Sequence, residues 1–142
     1  EGARPQVKVI LDTNVFISGV FFSGPPHQIL NAWRDGVIKL VISQDILSEY
    51  RRVGEAFSEE FPSIDLRPIL DLVTIEAELY VAEDLPEPLC SDPDDDKFVA
   101  CAIASGSRII ISGDKHLLKV SGYHDIEILK PREFINKHLQ KS

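Results

Sequence analysis

A chain of 142 residues, 44% apolar and 27% charged, is long enough for one domain with a real core and ordinary in composition for a globular protein. Its net charge of −8 argues against nucleic-acid binding by bulk electrostatics alone, although acids gathered at a metal site would count toward that charge while being neutralised by cations. No apolar run approaches membrane-spanning length, the N-terminus lacks the basic-then-apolar order of a signal peptide, and Cys90 and Cys101 form no C-x-x-C pair, so the expected compartment is the reducing cytoplasm.

Residues 1–6 read as an extension outside a single domain that occupies the rest of the chain. Val7 to Asn14, V-K-V-I-L-D-T-N, is a short apolar run with alternating character that ends in Asp12. This is the pattern of a buried strand delivering a carboxylate at its carboxyl end. A turn or a helix cap is the ordinary alternative for such an Asp. Asn14 to Phe22 is too short to assign and is compatible with a helical turn. Ser23-Gly24-Pro25-Pro26 breaks the chain, and a helix from about Pro25 carries Ile29, Leu30 and Trp33 on one face and stops at Gly36. Val37 to Ile42 is a second strand. Ser43 then caps a helix to about Phe61, striped by Ile46, Leu47, Tyr50, Val53 and Phe57.

Ile64 to Thr74 reads as a further helix with Leu66, Ile69, Leu70 and Val73 inward, and Ile75 to Ala82 as a third strand despite its two Glu. Glu83 to Asp94 is an acidic loop with three prolines. Asp95 to Ser105 is a small-residue helix ending at Gly106, its inward face set by Phe98, Val99, Ala102 and Ile103. Arg108 to Ser112 is a buried strand, Gly113-Asp114 a turn, Lys115 to Val120 a short helix, Ile126 to Leu129 the last strand, and Pro131 opens a helix to about Leu139.

Strands alternating with helices imply right-handed crossovers and a mainly parallel sheet covered on both faces. Ligands of such sheets sit in the crevice at the carboxyl ends of the strands. Asp12 and Asp114 both project there, with the Ser112 hydroxyl available to orient a carboxylate or a water. Glu49 borders the apolar stripe of its helix, so its burial needs compensation, with Arg52 as an alternative partner. Among the acids of S-D-P-D-D-D-K-F, helical spacing places Asp95 under the inward face, Asp96 at its edge and Asp94 away from it, while Asp92 contributes at most from the loop. Four such carboxylates repel unless they take up protons or bind cations. An all-oxygen set without His or Cys favours Mg²⁺ or Mn²⁺, which suits phosphodiester hydrolysis. The four His have no zinc-ligand spacing, and His116 alone stands near Asp114, in reach of a substrate. The chain lacks the Gly-rich nucleotide motifs and G-x-S-x-G.

Val9 to Val15 (V-I-L-D-T-N-V), Ser43 to Tyr50 (S-Q-D-I-L-S-E-Y), Asp92 to Ala102 (D-P-D-D-D-K-F-V-A-C-A) and Ile110 to Leu118 (I-I-S-G-D-K-H-L-L) resemble PIN-domain ribonucleases. Within that family, Leu129 to Phe134 (L-K-P-R-E-F) is similar to the branch of toxins from toxin–antitoxin pairs. The resemblance implies a three-layer α/β/α fold, Mg²⁺ or Mn²⁺ dependence and single-stranded RNA as substrate. It places the acid ligands at Asp12, Glu49, Asp95 and Asp114, with Asn14 in a polar position that supports the first acid. It also implies a homodimer and a small antitoxin partner. His116 departs from the family pattern, which has another acid or polar residue there. Two other readings compete: a PIN fold acting as a non-catalytic binding scaffold, and a receiver-like signalling domain. The second fits badly, because Asp12 is the sole acid at the first strand end and Ser43 occupies the second.

Overall fold

The computed structural model describes residues 6–139. The expected extension at residues 1–6 falls mostly outside the described residues, and Gln6 donates a side-chain hydrogen bond to the Gly36 carbonyl. Strand β1 (Val7–Leu11) is exposed at Val7 and fully buried from Val9 onward. It lies at the centre of a five-stranded, all-parallel sheet of order β3-β2-β1-β4-β5. β2 (Ile38–Ile42) pairs with it on one side and β4 (Ile109–Ile111) on the other, with Leu11 opposite Ile111. β5 (Glu127–Leu129) extends the sheet beyond β4, and β3 (Glu78–Leu79) closes the other edge.

The stretch left unassigned after Asp12 is helix α1 (Thr13–Phe21). Its β-branched residues disfavour a helix locally, and burial of Val15, Phe16, Ile17 and Phe21 overrides that preference. Helix α2 (Pro25–Arg34) ends before Gly36, whose φ of 81° takes the left-handed geometry glycine tolerates. In α3 (Gln44–Glu60) the Ser43 hydroxyl accepts the Ile46 N–H at 3.3 Å, the expected cap, and Ile46, Leu47 and Tyr50 are buried. Helix α2 lies against β2, α1 and α7 (Pro131–Phe134), while α5 (Asp96–Ser105) lies against β1, β2 and β4. The result is a three-layer α/β/α domain.

Several boundaries differ from expectation. Helix α4 (Arg67–Glu76) starts later than Ile64, because the Asp65 carboxylate accepts the Arg67 N–H at 3.1 Å and Pro68 occupies the first turn. It then runs on through Glu76 and consumes the start of the expected strand Ile75 to Ala82. Ile75 is 75% exposed, and only two residues of β3 pair with β2. On α5, Phe98, Val99 and Ala102 are buried as expected, but Ile103 is 43% exposed and does not belong to the inward face, which Cys101 completes. Helix α6 (Lys115–Leu118) is a single turn, and the closing helix continues from α7 through a wider π turn to Leu139.

The sheet order also decides one alternative. Receiver domains are built on the order 2-1-3-4-5, and the order here, with β1 between β2 and β4, excludes that topology. Chain direction across the sheet reverses at β1 and β4, and the crevice beyond their carboxyl ends is where doubly wound sheets bind ligands.

Candidate active site

Asp12 follows the last residue of β1, and its backbone N–H donates to the Ile111 carbonyl at 3.0 Å. The carboxylate is 5% exposed as a residue. Its Oδ1 accepts the Val15 N–H at 2.8 Å, and its Oδ2 accepts the Ser112 hydroxyl. Asp12 is therefore a helix cap as well as a strand-end acid, and the two readings of the sequence coincide. Ser112, fully buried, also accepts the Asp114 N–H at 2.9 Å, so one hydroxyl ties together the ends of β1 and β4. Asp114 in turn accepts the His116 N–H at 2.8 Å and caps α6.

Glu49 arrives from the side. Tyr50, stacked on Phe16 with ring centroids 4.1 Å apart, donates its hydroxyl to the Leu11 carbonyl at 2.6 Å. That buried contact pins α3 to the end of β1, and burial together with the negative charge of Asp12 holds the phenol well above its ordinary pKa. Glu49, the preceding residue, then reaches the Thr13 hydroxyl with Oε2. Its Oε1 faces the Lys97 ammonium as an ion pair without a directed hydrogen bond. Arg52 stands 3.9 Å away and largely in solvent, so it is the weaker partner. Lys97 also pairs with Asp94 at 3.0 Å. Burial lowers its pKa, but its pairing with Glu49 and Asp94 prevails and holds it above the ordinary lysine value.

Asp95 sits at the junction between the 3-10 turn Pro93–Asp95 and α5. Its Oδ2 is buried with no partner. Burial first, then the neighbouring charges of Asp114 and Asp92, a hydrogen bond to Asp114 and the charge of Asp12 push its pKa up to about 7. Asp12 is also raised, chiefly by burial, with Asp114 and Glu49 adding repulsion against the hydrogen bonds from Ser112 and Val15. The four acids singled out in the sequence thus stand in one electrostatic neighbourhood at the carboxyl edge of the sheet.

The other acids of the loop have different work. Asp92 is exposed and accepts the Asp94 N–H at 3.0 Å, capping the 3-10 turn. Asp96 accepts the Leu89 and Cys90 N–H groups at 3.1 and 2.8 Å, anchoring the loop before α5. Asn14 is exposed, and its neighbour Thr13, buried and bonded to Glu49, is the side chain that orders the site there. His116 is exposed. Lys97 and Thr13 escaped sequence reasoning because their partner, Glu49, is far away in sequence. The one local signal was the Asp94–Lys97 spacing on the same turn.

Among the described residues, no three His, Cys, Asp or Glu side chains close around a single position as a ready-made ligand cage. The carboxylates instead form an open edge. Mg²⁺ retains several waters and uses one or two carboxylates directly, so an open edge of hard oxygen donors with an unpartnered buried oxygen on Asp95 fits such an ion. An open cleft adjoins the edge, lined by Ser48, Glu49, Arg52, Asp94 and Lys97 together with the acidic loop at 83–88. Asp12, Asp95 and Asp114 are not part of its walls, so the cleft meets the acids on the Glu49 side. No described helix is long and apolar enough to cross a membrane.

The sequence profile of the PIN domain matches residues 8–116, from β1 into α6. An uncharacterized protein of Methanocaldococcus jannaschii is 30% identical over 148 residues, an alignment covering 93% of this chain and 92% of that protein.

Proposed function

Because the chain belongs to the PIN domain family, whose members are generally nucleases and typically bind divalent metal ions, we propose that it is a metal-dependent endoribonuclease acting on single-stranded RNA. The observation that supports this reading is the shared electrostatic neighbourhood of Asp12, Glu49, Asp95 and Asp114 along the carboxyl edge of the sheet, with Asp95 raised to about 7 by burial and then by its acidic neighbours. Grouped carboxylates at so high an electrostatic cost, with one buried oxygen left open, match the needs of a cation. The four acids would hold Mg²⁺ or Mn²⁺.

The bound ion would supply an activated water and offset charge on the phosphate. The chain's own residues position and exchange protons. Ser112 and the Val15 N–H fix the Asp12 carboxylate in one orientation, and the His116 N–H does the same for Asp114. In the metal-free chain Asp95 takes or gives a proton near neutral pH. Without a cation these acids repel a phosphodiester, so the same residues that make the site also keep it silent until an ion is loaded. Lys115 and His116, both exposed, follow Asp114 directly and would face a substrate phosphate bound at that edge. The toxin role, a small antitoxin partner and a homodimer rest on resemblance. A reducing cytoplasm suits the free thiols Cys90 and Cys101, both pushed up to about 12 mainly by burial.

Asp12→Asn and Asp95→Asn should each abolish Mn²⁺-dependent cleavage of single-stranded RNA, by about 10²-fold or more, while far-ultraviolet circular dichroism stays native. Cleavage that proceeds equally well in excess EDTA, or full activity of both variants, would sink the proposal.

A further inference from the structure

Glu49 differs from the other three acids in its partners. Asp12 and Asp114 accept hydrogen bonds from neutral donors, the Val15 and His116 N–H groups and the Ser112 hydroxyl. A neutral donor uses one lone pair of a carboxylate oxygen and leaves the charge for a metal. Asp95 has an oxygen with no partner at all. Among the described residues, Glu49 is the one of the four that pairs with cations, Lys97 closely and Arg52 at 3.9 Å. The Lys97 side chain is 13% exposed and that of Glu49 14%, so water screens the pair little. With Oε2 on Thr13 and Oε1 on Lys97, both Glu49 oxygens are taken, one of them by a full positive charge.

Lys97 also has a second carboxylate in reach. Asp94 lies 3.0 Å from the same ammonium and is largely exposed, so it can keep Lys97 if Glu49 is drawn elsewhere. We infer that Lys97 is a positioning residue that withholds Glu49 from the metal. Asp12, Asp95 and Asp114 would hold the ion first, and Glu49 would join them only as Lys97 shifts onto Asp94. This rests on the metal-dependent reading above and divides the four acids into three that bind and one that is held in reserve.

The test is a double-mutant cycle on Mn²⁺ affinity, measured by calorimetric titration of the metal-free full chain. Lys97→Met should tighten Mn²⁺ binding about tenfold in the native background, and about twofold or less when Glu49→Gln is already present. Lys97→Gln, which removes the charge but keeps a hydrogen-bonding head, should behave like Lys97→Met and serves if that variant does not fold. In the metal-free state Lys97→Met should lower Tm by leaving Glu49 unpaired, and adding Glu49→Gln should restore it. An equal gain in both backgrounds would mean that Lys97 acts only through space, and unchanged or weaker binding would mean that it does not compete. Either outcome overturns the inference while leaving a metal enzyme intact. A native chain that binds no Mn²⁺ would instead overturn the functional reading itself, and this inference with it.

Discussion

The carboxyl of Asp95 is the residue on which the chemistry can be checked most directly. Burial and the charges of Asp114, Asp92 and Asp12 hold its pKa near 7, so at neutral pH a proton and a cation compete for the same oxygens. Mn²⁺ affinity should therefore rise with pH up to about 7, by up to about tenfold per unit for one displaced proton, and level off above. Asp95→Asn should flatten that profile. Calorimetric titration across the range would check it, and a native chain with a flat profile would show that Asp95 does not face the ion. At this scale the sequence singled out candidate acids but not what steadies them. Helical spacing picked Asp95 out of D-P-D-D-D because an i, i+3, i+4 relation to Phe98 and Val99 is a local property. The engagement of Glu49 by Thr13 and Lys97 depends on how three helices meet, which no spacing within one helix reports.

Elements explain why the acids share one edge of the sheet. The Tyr50 hydroxyl on the Leu11 carbonyl and the Ser112 hydroxyl shared by Asp12 and Asp114 lock α3, β1 and β4 at their shared edge. The strands were legible because buried parallel strands read as apolar runs. The extent of the edge strand β3 was not, since Ile75 is apolar yet exposed on α4, and Glu78 is held by Lys39 at 2.9 Å and Lys8 at 3.6 Å. Helix α1, which Asp12 caps, was left unassigned, though compatible with a helical turn, because its β-branched residues disfavour a helix locally and its packing makes it helical. That packing is tight: a Cβ on Gly19 would lie 2.8 Å from the Pro26 carbonyl oxygen and 2.7 Å from Leu30 Cδ1. Backbone cannot yield as a side chain can, so Gly19→Ala should push α1 off α2 and cost about 1–3 kcal/mol. Urea denaturation measures this, and a variant as stable as the native chain would mean that the two helices part without penalty.

For the molecule as a whole, the site is a stored instability. Asp95 has a folded pKa of about 7 against an ordinary value of 3.8, and Asp12 is shifted in the same direction. Between those values the folded chain binds more protons than the unfolded one, so stability falls as pH rises through that window. The lowered acids Asp65, Glu78, Asp94, Asp96 and Glu127 run the other way. Their stabilisation is already complete above the ordinary carboxylate range and cannot mask the decline. The metal-free protein should therefore lose Tm between about pH 5 and about pH 8, and Mn²⁺ should restore it by mass action on the folded state. Asp95→Asn removes a charge whose Oδ2 has no partner and supplies an amide that can donate toward Asp114. At about pH 8 without metal, this variant should melt higher than the native chain and gain nothing from Mn²⁺, the trade of stability for function expected where like charges are held together. Differential scanning calorimetry with and without Mn²⁺ decides the matter. If Asp95→Asn melts lower than the native metal-free chain, the carboxylates are not straining against one another, and the case for a cation at this edge loses its energetic basis.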